Sequence, residues 1–204
     1  MNKYLIIILI IPSILVAQEF FSLKKTKSDY IKVDGILSQG EWSNARIIPL
    51  DIEIEPANNK PSEKKTLAYV TYSDDAILIG FYAYDDPKKI RASIHARDSR
   101  NFWRDDVINV RLDTFGDSRN NYLLAVNPLG SQFDLVQSNT SGKGGYNSNF
   151  NINFQSSGNI VSDGYQVEIR IPFSELPFPN TNDQTWNIRF HRQYMNGGIR
   201  IETS

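Results

Sequence analysis

Apolar and polar residues alternate in short runs along most of the chain. In VINVRLD (107–113), Ile108, Val110 and Leu112 fall on one face, and Asn109, Arg111 and Asp113 on the other. That is the two-residue period of a half-buried strand. YQVEIRI (165–171), closed by Pro172, and WNIRFHR (186–192) alternate in the same way. In FNINF (150–154), Phe150, Ile152 and Phe154 are expected inward, with Asn149, Asn151 and Asn153 outward. TLAYVTYS (66–73) and AILIGFYAY (76–84) flank Asp74-Asp75, a hairpin signal. NYLLAVN (121–127) runs into the turn NPLG, and QFDLVQ (132–137) follows. On the same alternation Gln132, Asp134, Glu168 and Arg170 are expected to point outward. No stretch has sustained helical periodicity; residues 37–45 and 172–178 suit one or two helical turns each. About ten short strands with regular turns predict an all-β fold, an antiparallel β-sandwich of jelly-roll or immunoglobulin-like type. The loop SGKGG (141–145) is expected to be mobile.

The first residues break this pattern. Lys3, the apolar run Leu5 to Ile11, Pro12 and a small residue at Ala17 follow the order of a secretory signal peptide. The expected division is a signal peptide over 1–17, a polar linker over 18–29 that includes LKKTKS (23–28), and one module over 30–204. An uncleaved anchor is the alternative. The chain is thus expected in the periplasm, in the outer membrane or on the cell surface. It has 204 residues and no cysteine, so its core alone must hold the fold. Absent cysteine also excludes thiol nucleophiles, cysteine-rich zinc sites and lipid attachment at the cleavage site. A formal net charge of -1 gives no footprint for nucleic acid.

Several chemistries are missing. His95 and His191 lie on separate runs, and there is no GxSxG elbow, phosphate loop or dinucleotide fingerprint. Asp74-Asp75, Asp85-Asp86 and Asp105-Asp106 are sequence neighbours. On a strand such neighbours face opposite ways, so no single pair makes a glycosidase site. The oxygen-rich turns YDDP (84–87) and DTFGDSRNN (113–121) could hold a structural calcium through Asp85, Asp86, Asp113 and Asp117, or could be plain turn chemistry. No cofactor is required. Outward amides and Arg–carboxylate pairs suit a hydroxyl-rich ligand, because they present donors and acceptors together; a merely wet sandwich face is the alternative. Trp103, set against Arg104, Asp105 and Asp106, is either a local core anchor or a platform for a ligand. Trp42 and Trp186 are expected in the core.

Taken in order, IKVDGILSQGEW (31–42), the hairpin over 68–86, WRDDVINVRLD (103–113), VNPLG, and DGYQVEIRIPFSEL (163–176) with Trp186 resemble family 9 carbohydrate-binding modules. The resemblance covers about residues 30–200 and opens with a strand before Val33-Asp34-Gly35. It is similar to the modules at the N-terminus of large exported Bacteroidetes-type proteins, in which a C-terminal, outer-membrane barrel-like region follows. It implies a β-sandwich that binds a glycan as a non-catalytic part of a larger glycan-processing protein, with the C-terminal region of the same polypeptide as a further partner. The alternatives are part of a glycoside hydrolase acting on O-glycosyl bonds, or a structural accessory domain with sugar binding lost. The family's site pairs two aromatics around a sugar. Trp103 falls on the first, and Asn127 on a polar position; Asn109 and Arg111 complete the expected ligand-binding set. Asn109 stands where the best-known members carry glutamate, and Ala125 where they carry arginine. The second aromatic is expected beyond Ser204, in a longer chain.

Overall fold

The computed structural model describes residues 21–56, 59–138, 145–147 and 149–204. The expected leader over 1–17 and most of the loop over 141–145 lie outside them. Thirteen strands form among the described residues: β1 (Arg46–Pro49), β2 (Ile52–Glu55), β3 (Lys60–Pro61), β4 (Thr66–Tyr72), β5 (Ala76–Tyr84), β6 (Val107–Asp113), β7 (Asn120–Val126), β8 (Gln132–Ser138), β9 (Gly145–Asn147), β10 (Gln155–Val161), β11 (Gly164–Pro172), β12 (Asn187–Asn196) and β13 (Ile199–Thr203). They build a five-stranded sheet in the order β1-β4-β5-β11-β10 and an eight-stranded sheet in the order β3-β2-β13-β12-β6-β7-β8-β9. Neighbouring strands pair antiparallel. The two sheets pack as a sandwich. Val70, Ile79, Phe81, Val167 and Ile169 from the first meet Ile108, Val110, Leu112, Leu124 and Phe190 from the second in one buried core.

The alternating runs behave as their period predicts in β4, β5, β6, β7, β11 and β12. Several expectations need correcting. FNINF buries Ile152 and Phe154 and exposes Asn151 and Asn153, but forms no ladder; the strand is the segment after it, β10. QSSGNIV lacks a strand signal because its middle lies against the other sheet: a Cβ on Gly158 would come within 2.6 Å of the Pro128 carbonyl oxygen. In β8 the polarity is inverted. Asp134 pairs with Leu124 and Gln132 with Val126, so both face the sandwich interior, whereas Phe133 and Leu135 face out. Asp134 is tolerated there because Arg97 and the Ile152 amide bond its carboxylate.

Glu168 does point away from the core, yet it is fully buried. Residues 31–45, which make turns rather than the expected opening strand, fold over that face. One Glu168 oxygen accepts from the Asp34 and Gly35 amides, and the other from Trp42 Nε1. Burial pushes the Glu168 carboxyl up, against those bonds. Gly80 permits the close approach, since a Cβ there would meet Leu37 at 2.6 Å. Trp42 is buried as expected, while Trp186 is half-buried against Phe173 and Phe178. The described part of the expected linker does not hang free. Lys25 bridges to Tyr72, Thr26 donates to the Tyr72 carbonyl, and Phe21 and Leu23 pack on the core. The expected helical turns are short: turns over 40–45 and a 3-10 turn at Phe173–Glu175.

Candidate functional site

The long connection from β5 to β6 brings Trp103 over the outer face of the eight-stranded sheet. Trp103 lies in a 3-10 turn (Arg100–Arg104), capped by Ser99. Asp105 anchors the connection. Its Oδ2 accepts from the Ser93 amide and Asn127 Nδ2, and lies 2.8 Å from His95 Nε2. Asn127 in turn donates to the Ser93 carbonyl and accepts from the Leu129 and Ser131 amides. Its two donors and both lone pairs are therefore taken within the chain. Asn127 is fully buried and holds the loop; it presents no free group to a ligand. Gln193 on β12 donates to the Trp103 carbonyl from the other side.

The indole is half-buried. It stands edge-on to Phe102 and Phe133, with ring centroids 5.4 and 5.1 Å away. Phe133 faces out because of the inverted polarity of β8, and so becomes a floor for Trp103. Beneath this cluster lie Val107, Leu123 and Ala125. An arginine at position 125 would break this apolar patch, so Ala125 suits the packing here.

Register decides what stands beside the indole. Asn109 pairs with His191 on β12 and with Ala125 on β7; Arg111 pairs with Arg189 and Leu123. Partners directly opposite share a face. Asn109 and His191 are 3% and 7% exposed. Among the described residues, Asn109 Oδ1, Arg111 Nε and His191 Nε2 are buried without a hydrogen-bond partner. Each such group costs about 1–3 kcal/mol; others occur elsewhere among the described residues, at Asp106 and Tyr165 for example, and what marks these three is that they share one outer face. His191 Nδ1 lies 2.9 Å from Glu202 Oε1 on β13, and that imidazole holds the Glu202 carboxyl below its usual range despite burial. The site is thus a half-buried indole beside three orphaned polar atoms. His191, Gln193, Phe133 and Glu202 were missed from sequence. The alternation of WNIRFHR places His191 on an outer face, but nothing local says that the face is that of Asn109.

The chain matches the family model described as "Carbohydrate family 9 binding domain-like" over residues 33–202. It belongs to that family. Among curated proteins none matches the sequence. Solved structures share the fold. A family 9 carbohydrate binding module from Caldicellulosiruptor kristjanssonii, in complex with cellotriose, is 15% identical with a TM-score of 0.59, over 89% of this chain and 83% of that one. A "putative carbohydrate-binding protein" from Bacteroides uniformis is 11% identical with a TM-score of 0.62, over 89% of this chain and 88% of that one.

In this family 9-like domain the four candidate calcium ligands are not brought together. Asp85 and Asp86 lie near the start of β6, and Asp113 and Asp117 at its far end. Asp85 pairs with Arg192 and Lys64; Asp86 accepts from the Lys88 amide; Asp117 accepts from the Arg119 amide. Asp113 accepts from the Phe115, Gly116 and Ser118 amides and from Asn187 Nδ2. Each closes its own turn or pairs with a cation, and no cluster of three metal-ligating side chains occurs among the described residues. A larger groove, about 780 Å³, opens beside Lys64, Asp85 and Lys89. Its tyrosine, Tyr84, is stacked on Tyr82 and lies under Lys65 Nζ, so it offers a ligand little ring face.

Proposed function

We propose that this module binds carbohydrate on the outer face of the eight-stranded sheet. A sugar ring rests against Trp103, and its hydroxyls meet Asn109, Arg111 and His191. The observation that carries this reading is the set of buried, unpartnered polar atoms beside a half-buried indole. Sugar hydroxyls both donate and accept, so one ring can satisfy an amide oxygen and a guanidinium N–H together. An indole face fits the apolar face of a pyranose. Asn127 serves this site by fixing Asp105 and the loop that carries Trp103. Family membership and the sugar complexes of a related fold support the same ligand class.

Calorimetric titration with mono- and oligosaccharides tests the reading. Trp103→Ala should weaken binding about tenfold, as a stacked aromatic contributes on the order of 1 kcal/mol beyond area burial. The variant should remain folded by circular dichroism. Binding that survives Trp103→Ala unchanged would move the site elsewhere. The signal-peptide-like order of residues 1–17 supports a role outside the cytoplasm, and the module is read as part of a longer glycan-processing polypeptide. Mass spectrometry of the exported protein should find Gln18 at its N-terminus.

A further inference from the structure

The polar face continues beyond Asn109. The next outward positions on β6 are Arg111 and Asp113, and their partners on β12 are Arg189 and Asn187. Arg111 and Arg189 stand directly opposite each other on one face. Like charges in that position destabilise a sheet. Neither guanidinium forms an ion pair among the described residues, and Arg111 Nε is buried with no partner. The nearby carboxylates are largely committed: Asp113 takes its four donors, and Glu202 bonds first to His191, with a weaker pull from Arg111. The two arginines open on a cavity of about 200 Å³, also lined by Asp113, Ser118, Asn121, Gln137 and Asn187. This is a pocket of amides around two opposed cations, with one carboxylate, Asp113, whose oxygens are already taken by four donors of the chain.

We propose that this cavity is an acidic-sugar subsite: it takes the anionic group of a charged glycan unit, a carboxylate or a sulfate ester, between Arg111 and Arg189. The proposal rests on the reading that this face binds carbohydrate, and it names the glycan class. A guanidinium meets a carboxylate or sulfate with paired N–H donors, which a hydroxyl cannot match. The spacing suits a chain of sugars. From Asn109 to Arg111 the strand rises about 7 Å, at about 3.3 Å per residue. That is about one sugar unit, so a unit at Trp103 and the next one at the arginines belong to one oligosaccharide. An anionic ligand held between the two guanidinium groups offsets their mutual repulsion.

The test is calorimetric titration of the full chain with three oligosaccharides of equal length: a neutral cello-oligosaccharide, an oligogalacturonate and a sulfated oligosaccharide. At least one acidic ligand should bind about tenfold more tightly than the neutral one at low salt, and the margin should narrow as salt rises. Comparing the two acidic ligands distinguishes carboxylate from sulfate. Arg189→Gln should abolish the margin and leave neutral binding intact. Its melting temperature should be equal or higher, because the substitution relieves a like-charge pair. Arg111→Gln should weaken all binding. If the neutral ligand binds and neither acidic one binds more tightly, the subsite is wrong while the carbohydrate reading stands. A margin that persists in Arg189→Gln also overturns it. If none of the three binds, both readings fall.

Discussion

Single residues here do different work from what their type suggests. Asn109 and Asn127 are both buried amides, yet Asn127 is saturated within the chain and Asn109 keeps an unpartnered oxygen. The neighbours Asp105 and Asp106 split in the same way. Asp105 serves the Trp103 loop. Asp106 turns toward the buried group around Arg192 and Asp85, where burial pushes its carboxyl up to about 6 against the pull of Arg192. Its ordinary value is 3.8. The folded protein therefore holds this proton more tightly than the unfolded chain, and the stability from it is present at low pH and lost as pH rises through about 6. Melting temperatures of wild type and Asp106→Asn, measured between pH 4 and 7, should diverge: the wild type loses stability relative to the variant as pH rises. The full shift corresponds to about 3 kcal/mol. Parallel curves would show that Asp106 ionises normally.

At the scale of elements, a polar position is legible as outward or inward only while its strand has two unequal neighbours. β6 meets that condition and reads correctly. β8 does not. Its apolar face covers Trp103 and its polar face meets Arg97 and residues 150–154, so Phe133 and Asp134 exchange the places that polarity alone assigns them. FNINF shows the converse case, in which the burial alternates without a ladder. Ile152 is fully buried and Asn151 is exposed, so Ile152→Asp should unfold the module by burying an unpaired charge. Asn151→Asp should leave it folded. Urea denaturation of the two variants checks this, and equal midpoints would overturn the placement of this segment. The 31–45 segment teaches a third point: Glu168 looks solvent-facing on β11 until Trp42 arrives over it.

At the scale of the whole molecule, the two sheets are tied by a charge as well as by their apolar core. Arg192 on β12 is fully buried. It donates to Thr66 Oγ1 and the Tyr84 carbonyl in the five-stranded sheet, and its Nη2 lies 2.6 Å from Asp85. Removing one partner of a buried pair costs up to about 3–5 kcal/mol, and Lys64, 2.5 Å from Asp85, offsets part of that here. Arg192→Met should therefore lower the unfolding free energy by less than the upper end of that range in denaturant titration. Arg192→Met with Asp85→Asn should recover part of the loss. If the double variant is no more stable than the single one, Asp85 is not the group left stranded.

The sequence by itself determined the fold class, the Asp74-Asp75 hairpin, the inward faces of β4 to β7, β11 and β12, and the presence of Trp103 beside an outward Asn109 and Arg111. These follow from a two-residue period with one apolar side, which is a local property of each run. Only the tertiary structure decided that His191 stands opposite Asn109, that Arg189 stands opposite Arg111, that Phe133 floors the indole, and that Asn127 and Glu168 are sealed from solvent. The β6–β12 register joins residues about eighty positions apart. It is set by how both strands pack on the opposite sheet, and no short run carries that information. Whether a polar side chain on an outer face is free or sealed depends likewise on which loop crosses it, and that is settled when distant segments compete to cover the sheet.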